Sequence, residues 1–79
     1  MMAQVRFFAA AKVVTKTAQT PIPGNSVGEV LDQAKINFPG LDQVLTKCSL
    51  LLNETSCSDL TTPISDGDVL DILPPFAGG

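Results

Sequence analysis

The sequence predicts an α+β fold in which a mixed β-sheet carries one main helix packed across one face. Three observations lead there. Stretches of alternating or β-branched character stand toward both ends of the chain, one well-capped helical pattern stands between them, and 79 residues suffice for one domain only. A chain this short buries only about 60% of the surface its unfolded form exposes, so most of its apolar side chains are needed for the core. The domain is expected over residues 1–73, with residues 74–79 as an extended tail.

Residues 4–8, Gln-Val-Arg-Phe-Phe, alternate as a first strand, with Val5 and Phe7 on one face and Arg6 and Phe8 on the other. Residues 13–18, Val-Val-Thr-Lys-Thr-Ala, are rich in β-branched side chains and predict a second strand. Pro21, Pro23 and Gly24 then predict a break in regular structure. Ser26-Val-Gly-Glu29 has the form of a capping box, in which the Ser26 hydroxyl accepts from the amide three residues on and Glu29 reaches back to the Ser26 amide. Val27, Val30, Leu31, Ala34 and Phe38 follow at helical spacing, and Pro39 disfavours helix at the residue before it. Leu41, Val44 and Leu45 predict a short second helical turn ending near Lys47.

Ser49-Leu-Leu-Leu52 reads as a strand buried on both faces, Asn53-Glu54 as a polar turn, and Thr55–Ser58 as a weak strand pairing back. Ile64–Asp68 is a turn in which Gly67 is free to take positive φ. Val69–Leu73 is the last strand, with Leu70 and Ile72 on one face and Val69, Asp71 and Leu73 on the other. The order ββαββ, with a possible small helix, is met most economically by the ubiquitin-like β-grasp.

Composition removes whole classes of function. The chain has no His, Trp or Tyr, and eight acids against five bases give a net charge of −3. Without histidine the commonest general base and the commonest metal ligand are absent. Cys48 and Cys57 cannot complete a four-ligand zinc site, and no metal site is expected. The charge has the wrong sign for nucleic acid, and no stacking-aromatic platform is present. No apolar run approaches the ~20 residues that cross a bilayer. There is also no charged start followed by an apolar stretch and a cleavage site, so a cytoplasmic chain with reduced thiols is expected. A carrier, a subunit or a binding module remains.

The chemistry is expected in the tail, Pro74-Pro75-Phe76-Ala77-Gly78-Gly79. The prolines cannot donate to a sheet and favour an extended course, which stops the strand and directs the tail off the body. Six extended residues reach about 20 Å at ~3.3 Å each. Gly78 and Gly79 lack Cβ atoms, so the terminal carboxylate sits on a thin, sterically open thread that fits a narrow channel. Glycines at a C-terminus taken alone are also an ordinary frayed end or a cloning remnant. An apolar strand followed by two prolines and Phe-Ala-Gly-Gly favours a positioned tail.

The segment Asp66-Gly-Asp-Val-Leu-Asp-Ile-Leu-Pro-Pro-Phe-Ala-Gly-Gly79 resembles the C-terminus of the molybdopterin synthase small subunits. These are β-grasp sulfur carriers related to the thiamin-pathway sulfur carrier. Val5-Arg-Phe-Phe-Ala9, Phe38-Pro-Gly-Leu41 and Leu51-Leu-Asn53 occur in family order and extend the resemblance over most of the chain. The segment Lys12–Gln19 departs, lacking the Arg-Glu pair often found after the first strand. The resemblance implies that an E1-like activating enzyme adenylates the Gly79 carboxylate with ATP and magnesium. A sulfur donor system, such as a cysteine desulfurase or a rhodanese, then replaces AMP and leaves a thiocarboxylate. That sulfur passes to a pterin precursor in the large subunit of molybdopterin synthase, in a two-plus-two heterotetramer. Gly79 carries the sulfur, Gly78 keeps the thread narrow, and Pro74, Pro75, Phe76 and Ala77 space and guide it. No cofactor is bound by the chain itself.

The resemblance also implies that the large subunit is met by a phenylalanine of the first strand and by the residue before the proline pair. Strand parity places Phe8, Val69 and Leu73 on the outer sheet face, so these residues are the expected interface. Other readings of the same tail remain open. One sends the sulfur to thiamin, tRNA thiolation or cysteine synthesis, another joins Gly79 to target lysines as a protein modifier, and a third leaves the tail inert on an interaction module. Cys48 and Cys57 are expected as core or bystander thiols, with a disulfide pair as the alternative. Asp66, Asp68 and Asp71 are expected in a solvated turn, with a bound cation or basic groups on a partner as the alternatives.

Overall fold

The structure is a computed structural model and describes residues 1–75. The chain runs β1 (Met2–Phe7), α1 (Ala10–Thr15), β2 (Gln19–Pro23), α2 (Val27–Asn37), α3 (Leu41–Leu45), β3 (Ser49–Leu52), β4 (Thr55–Ser56) and β5 (Val69–Leu73). The strands form one sheet in the order β2-β1-β5-β3-β4. β1 and β5 pair in parallel at its middle, and the remaining pairs are antiparallel. A mixed sheet with the longest helix sharing the core of one face is the ubiquitin-like β-grasp.

Alternation along the two middle strands builds the core. Ala3, Val5 and Phe7 from β1 and Leu70 and Ile72 from β5 are buried together with Val27, Val30, Leu31 and Ala34 of α2. Phe38 closes one end by meeting Phe7 edge to face, with ring centroids 5.4 Å apart. No helix among the described residues is long and apolar enough to cross a membrane.

Between Phe8 and Gly24 the structure departs from the sequence expectation. Residues 10–15 are helical, and the second strand lies further on, at Gln19–Pro23. The β-branched residues Val13, Val14 and Thr15 follow three alanines of high helix propensity. Burial of Ala11 and Thr15, one helical turn apart, outweighs the weak β preference. The Thr15 hydroxyl donates back to the Ala11 carbonyl at 2.9 Å, and Lys16 ends the helix in a left-handed conformation. Pro21 and Pro23, read as breakers, belong to β2 because β2 is an edge strand. The Phe7 amide donates to the Ala18 carbonyl and the Gly24 amide to the Met1 carbonyl. With Gln4 opposite Pro21 and Met2 opposite Pro23, strict alternation puts both proline nitrogens on the side facing away from β1.

The helix start also differs in one detail. The Glu29 amide donates to Ser26 Oγ at 3.2 Å as expected, but the Glu29 carboxylate accepts from the Asn25 amide at 2.9 Å rather than from Ser26. Ser26 stands opposite Pro63 in an isolated bridge whose hydrogen bonds run from the Val27 amide to the Thr62 carbonyl and from the Ile64 amide to the Asn25 carbonyl. β3 is half-buried along its length, not buried on both faces, because its outer neighbour β4 has only two residues. The β3–β4 turn uses Asn53 and Glu54 with φ of 51° and 70°, the paired positive values of a tight two-residue hairpin.

Polar contacts set the start of β5. The Ser65 amide and the Asn53 side-chain amide donate to Asp68 at 2.8 and 3.1 Å, and the Val69 amide donates to Asn53 Oδ1 at 2.9 Å. Asp66 accepts from the Met2 amide at 2.8 Å, so these acids serve the chain's own backbone. The hydrogen bonds from Ser65 and then from Asn53 hold the Asp68 carboxyl below the usual carboxylate range. Its folded pKa is depressed, so its contribution is present above the unfolded value and is lost as pH falls through the folded one. Asp68→Asn should therefore lower the thermal midpoint at neutral pH and converge with the parent in acid, as melts across the acid range would show. A non-convergent pair of curves would show that this carboxylate does not couple to folding.

Gly24 is required by a close approach. A Cβ built there lies 2.7 Å from the Val30 nitrogen and 2.8 Å from Val30 Cγ2. Since Val30 is anchored in α2 and fully buried, it has little room to yield. Gly24→Ala should cost about 1–3 kcal/mol in urea denaturation, in line with overpacking of a filled core.

Candidate functional site

The site is built around the point where β5 ends. Leu73 is half-buried and Pro74 and Pro75 are exposed and outside any helix or strand. β5 has hydrogen-bonded neighbours on both sides, so the root of the tail leaves the interior of the sheet rather than a fraying edge. The expected tail residues Phe76, Ala77, Gly78 and Gly79 lie outside the described residues.

Register places the outer face residues side by side. Arg6 lies opposite Asp71 across β1 and β5, and Gln4 lies opposite Val69. The Phe8 amide donates to the Ile72 carbonyl at 3.1 Å, which carries the pairing one step on and sets Phe8 beside Leu73. On the other side, Ser49 faces Leu73 and Leu51 faces Asp71. Phe8, Leu73, Leu51 and Val69 thus share the face opposite the core. Phe8 is 37% exposed, an unusual position for a phenylalanine, while Val69, Leu73 and Leu51 are half-buried.

At the middle of this face stands an ion pair. Arg6 Nε donates to Asp71 Oδ1 at 2.5 Å and Nη2 to Oδ2 at 2.7 Å, a two-pronged contact matched to the carboxylate plane. The Asp71 side chain is 7% accessible and that of Arg6 40%, so the acid is buried and the base half-covered. The guanidinium centre also stands 5.8 Å from the Phe8 ring centroid. The hydrogen bonds to Asp71, followed by its charge, push the Arg6 pKa above its already high usual value. Asp71 is therefore not part of the solvated turn that the sequence suggests. Opposite charges at the same outward parity of two strands were a usable signal, but only once those strands were known to pair.

Around the tail root lies a groove of about 400 Å³ lined by Phe8, Ala10, Val44, Cys48, Pro74 and Pro75. Its α3 wall was not legible in the sequence. Cys48 and Cys57 are free and half-buried, and both pack against the core. The Cys48 thiol donates to the Val44 carbonyl at 3.2 Å, and burial pushes its pKa up, so it is held in the unreactive thiol form. Among the described residues no group of three His, Cys, Asp or Glu side chains converges to hold a metal ion.

Comparison with known proteins adds to this geometry. The ThiS family model matches residues 5–79. A molybdopterin synthase sulfur carrier subunit of Aedes aegypti is 46% identical over 44 residues, 53% of this chain and 45% of that protein. Its counterpart in Arabidopsis thaliana is 30% identical over 79 residues, 96% of this chain and 81% of the relative. Among solved structures, a complex of subunits 1 and 2 of molybdopterin-converting factor from Helicobacter pylori matches with TM-score 0.75 and 37% identity over 100% of both chains. The small archaeal modifier protein 1 of Methanosarcina acetivorans matches with TM-score 0.87 and 25% identity, covering 99% of this chain and 96% of that one.

Burial makes the two members of the ion pair unequal. Removing Arg6 leaves a buried carboxylate unpaired, whereas removing Asp71 leaves a cation that can turn to water. Arg6→Met should thus lower the thermal midpoint at neutral pH more than Asp71→Leu does. Equal midpoints in the two variants would show that water reaches Asp71 freely.

Proposed function

We propose that this chain, which belongs to the ThiS family, bears a C-terminal thiocarboxylate on Gly79 and donates its sulfur as the small subunit of a molybdopterin synthase. The observation that carries the reading is the placement of the tail root. The strand preceding Pro74 and Pro75 lies inside the sheet, and Phe8 and Leu73 stand side by side next to the tail root on the outer face. A partner that covers this face receives the tail at a fixed position. The likeness to sulfur carrier subunits over nearly the whole chain supports the same assignment.

The chemistry follows from what the chain has and lacks. A carboxylate is a poor electrophile, so an E1-like partner joins the Gly79 carboxylate to AMP from magnesium ATP, releasing pyrophosphate. The terminal sulfur of a persulfide on a donor such as a cysteine desulfurase or rhodanese then attacks the acyl adenylate and displaces AMP. A thiol cleaves the resulting acyl disulfide, forming a disulfide with the donor cysteine and leaving the thiocarboxylate. The thiocarboxylate sulfur attacks a pterin precursor held by the large subunit, and water then cleaves the acyl–sulfur bond, leaving the sulfur on the pterin and returning Gly79 as a carboxylate. General acid and base groups reside on those partners, which suits a chain without histidine. Pro74 and Pro75 limit the wandering of the thread, and Gly78 and Gly79 keep it narrow.

A second reading is favoured by the likeness to a small archaeal modifier protein. In it, Gly79 is joined to lysine side chains of other proteins. Intact mass of the chain isolated from its own cells separates the two. A gain equal to sulfur replacing oxygen supports the carrier, and ladders of isopeptide-linked species support the modifier. Deleting Gly79 should abolish sulfur transfer to the pterin and leave the thermal midpoint unchanged, because the buried core among the described residues spans residues 3–72. Undiminished pterin synthesis by the shortened chain overturns the carrier reading.

A further inference from the structure

The acids of the 65–68 turn and both thiols are engaged by the chain's own groups. Arg6 is not fully engaged. Its Nε and one Nη2 hydrogen serve Asp71, and its remaining N–H donors have no acceptor among the described residues. We propose that Arg6 is the polar anchor of the interface on the outer sheet face. The partner receives it with neutral oxygens, backbone carbonyls or side-chain amides, and not with a carboxylate. This rests on the reading that the large subunit covers the face containing Phe8 and Leu73.

Three features lead to the anchor. The two-pronged contact with Asp71 and the Phe8 ring already fix the side chain, so little conformational freedom is left to lose on docking. On the outer face Arg6 has Phe8 next to it just beyond β1, Val69 and Leu73 diagonal to it on β5 and Gln19 opposite it on β2, so a partner that covers Phe8, Val69 and Leu73 also removes water from the guanidinium. A buried donor left without an acceptor costs far more than a formed hydrogen bond returns. The partner must therefore supply acceptors where Arg6 stands.

Charge decides their kind. Asp71 already neutralises Arg6, and Glu54 lines the same hollow as Arg6 and Val69. A partner carboxylate placed here would bury a net negative charge beside two acids, which is unfavourable in a desolvated interface. Neutral oxygens satisfy the donors without adding charge.

The test uses the whole chain and the purified large subunit from the same organism, with affinity measured by titration calorimetry at low and high salt. The double variant Arg6→Met/Asp71→Leu removes both charges at similar volume and should fold, since replacing a whole pair by apolar groups is commonly neutral or stabilising. Its affinity should fall by roughly tenfold or more, while the parent's affinity changes little with salt. Arg6→Lys, which keeps Asp71 paired without the planar fork, should also bind several-fold more weakly. Undiminished binding by either variant overturns the anchor. A steep salt dependence of the parent that vanishes in the double variant overturns the neutral acceptor. Phe8→Ser separates the two levels. If it weakens binding while the Arg6 variants do not, the face stands and the anchor falls. If it leaves binding intact, or if the parent does not bind, the face reading falls with it.

Discussion

The parallel pairing of β1 with β5 is the constraint from which the rest of the structure follows. Parallel strands cannot be joined by a tight turn, so everything from Phe8 to Asp68 serves as one long crossover. That crossover holds β2, the helices and the β3–β4 hairpin, and each finds its place relative to the middle pair. The pairing brings the first and last strands together and encloses the last one between two neighbours. Val5, Phe7, Leu70 and Ile72 thereby become the centre of the core. The same pairing ends β1 and β5 side by side, so Phe8 and the root of the tail belong to one surface. Had β5 been an edge strand, the same tail would start from a segment prone to local opening.

Register at this pair is held from both faces. A slip of one residue would turn the inner set of β5 outward and bring Phe7 opposite Asp71. The apolar side would lose its burial, and Asp71 would lose its cation. A half-buried ion pair is weak evidence for stability when compared with apolar residues of equal volume. Its value here lies in discrimination, because only the native register satisfies the Asp71 carboxylate and fills the core together. In a domain with so little interior, such agreement between polar and apolar demands narrows the alternatives.

Features decided by local chemistry were legible in the sequence, and features decided by strand neighbours were not. Parity along Val5–Phe7 and Leu70–Ile72, the Ser26 cap and the Gly67 turn follow from residues close in sequence, and the structure has them all. The expected strand over residues 13–18 is helical through Thr15 because β preference is weak and burial of Ala11 and Thr15 on one helical face outweighs it. Pro21 and Pro23 were misread because proline is excluded from a strand only where its nitrogen must donate, and edge position is a property of the sheet. The Arg6–Asp71 pair needed the same missing knowledge. Phe8 and Leu73 could be assigned to the outer face from parity alone, whereas the contribution of α3 and Cys48 to the groove beside them depended on tertiary packing.

Under the proposed function, the body and the tail have separable work. Gly79 stands six residues beyond the last strand residue, a reach of about 20 Å. A segment of that length delivers its end to a narrow channel efficiently only when its root is held near the channel mouth. Docking of the sheet face meets this condition, because a tail rooted beside a bound surface enters the channel as an intramolecular step at high effective concentration. Pro74 and Pro75 raise that concentration further by removing backbone freedom at the root. The body needs no reactive side chain, only a surface that partners can recognise and a firmly held strand from which the tail departs. The chain has no histidine, and burial raises the pKa of the Cys48 thiol beside the tail root, so neither competes strongly for an activated carboxyl group. A chain of this size can thus present a high-energy acyl group to several partners in turn, since affinity resides in one part of the molecule and chemistry in the other.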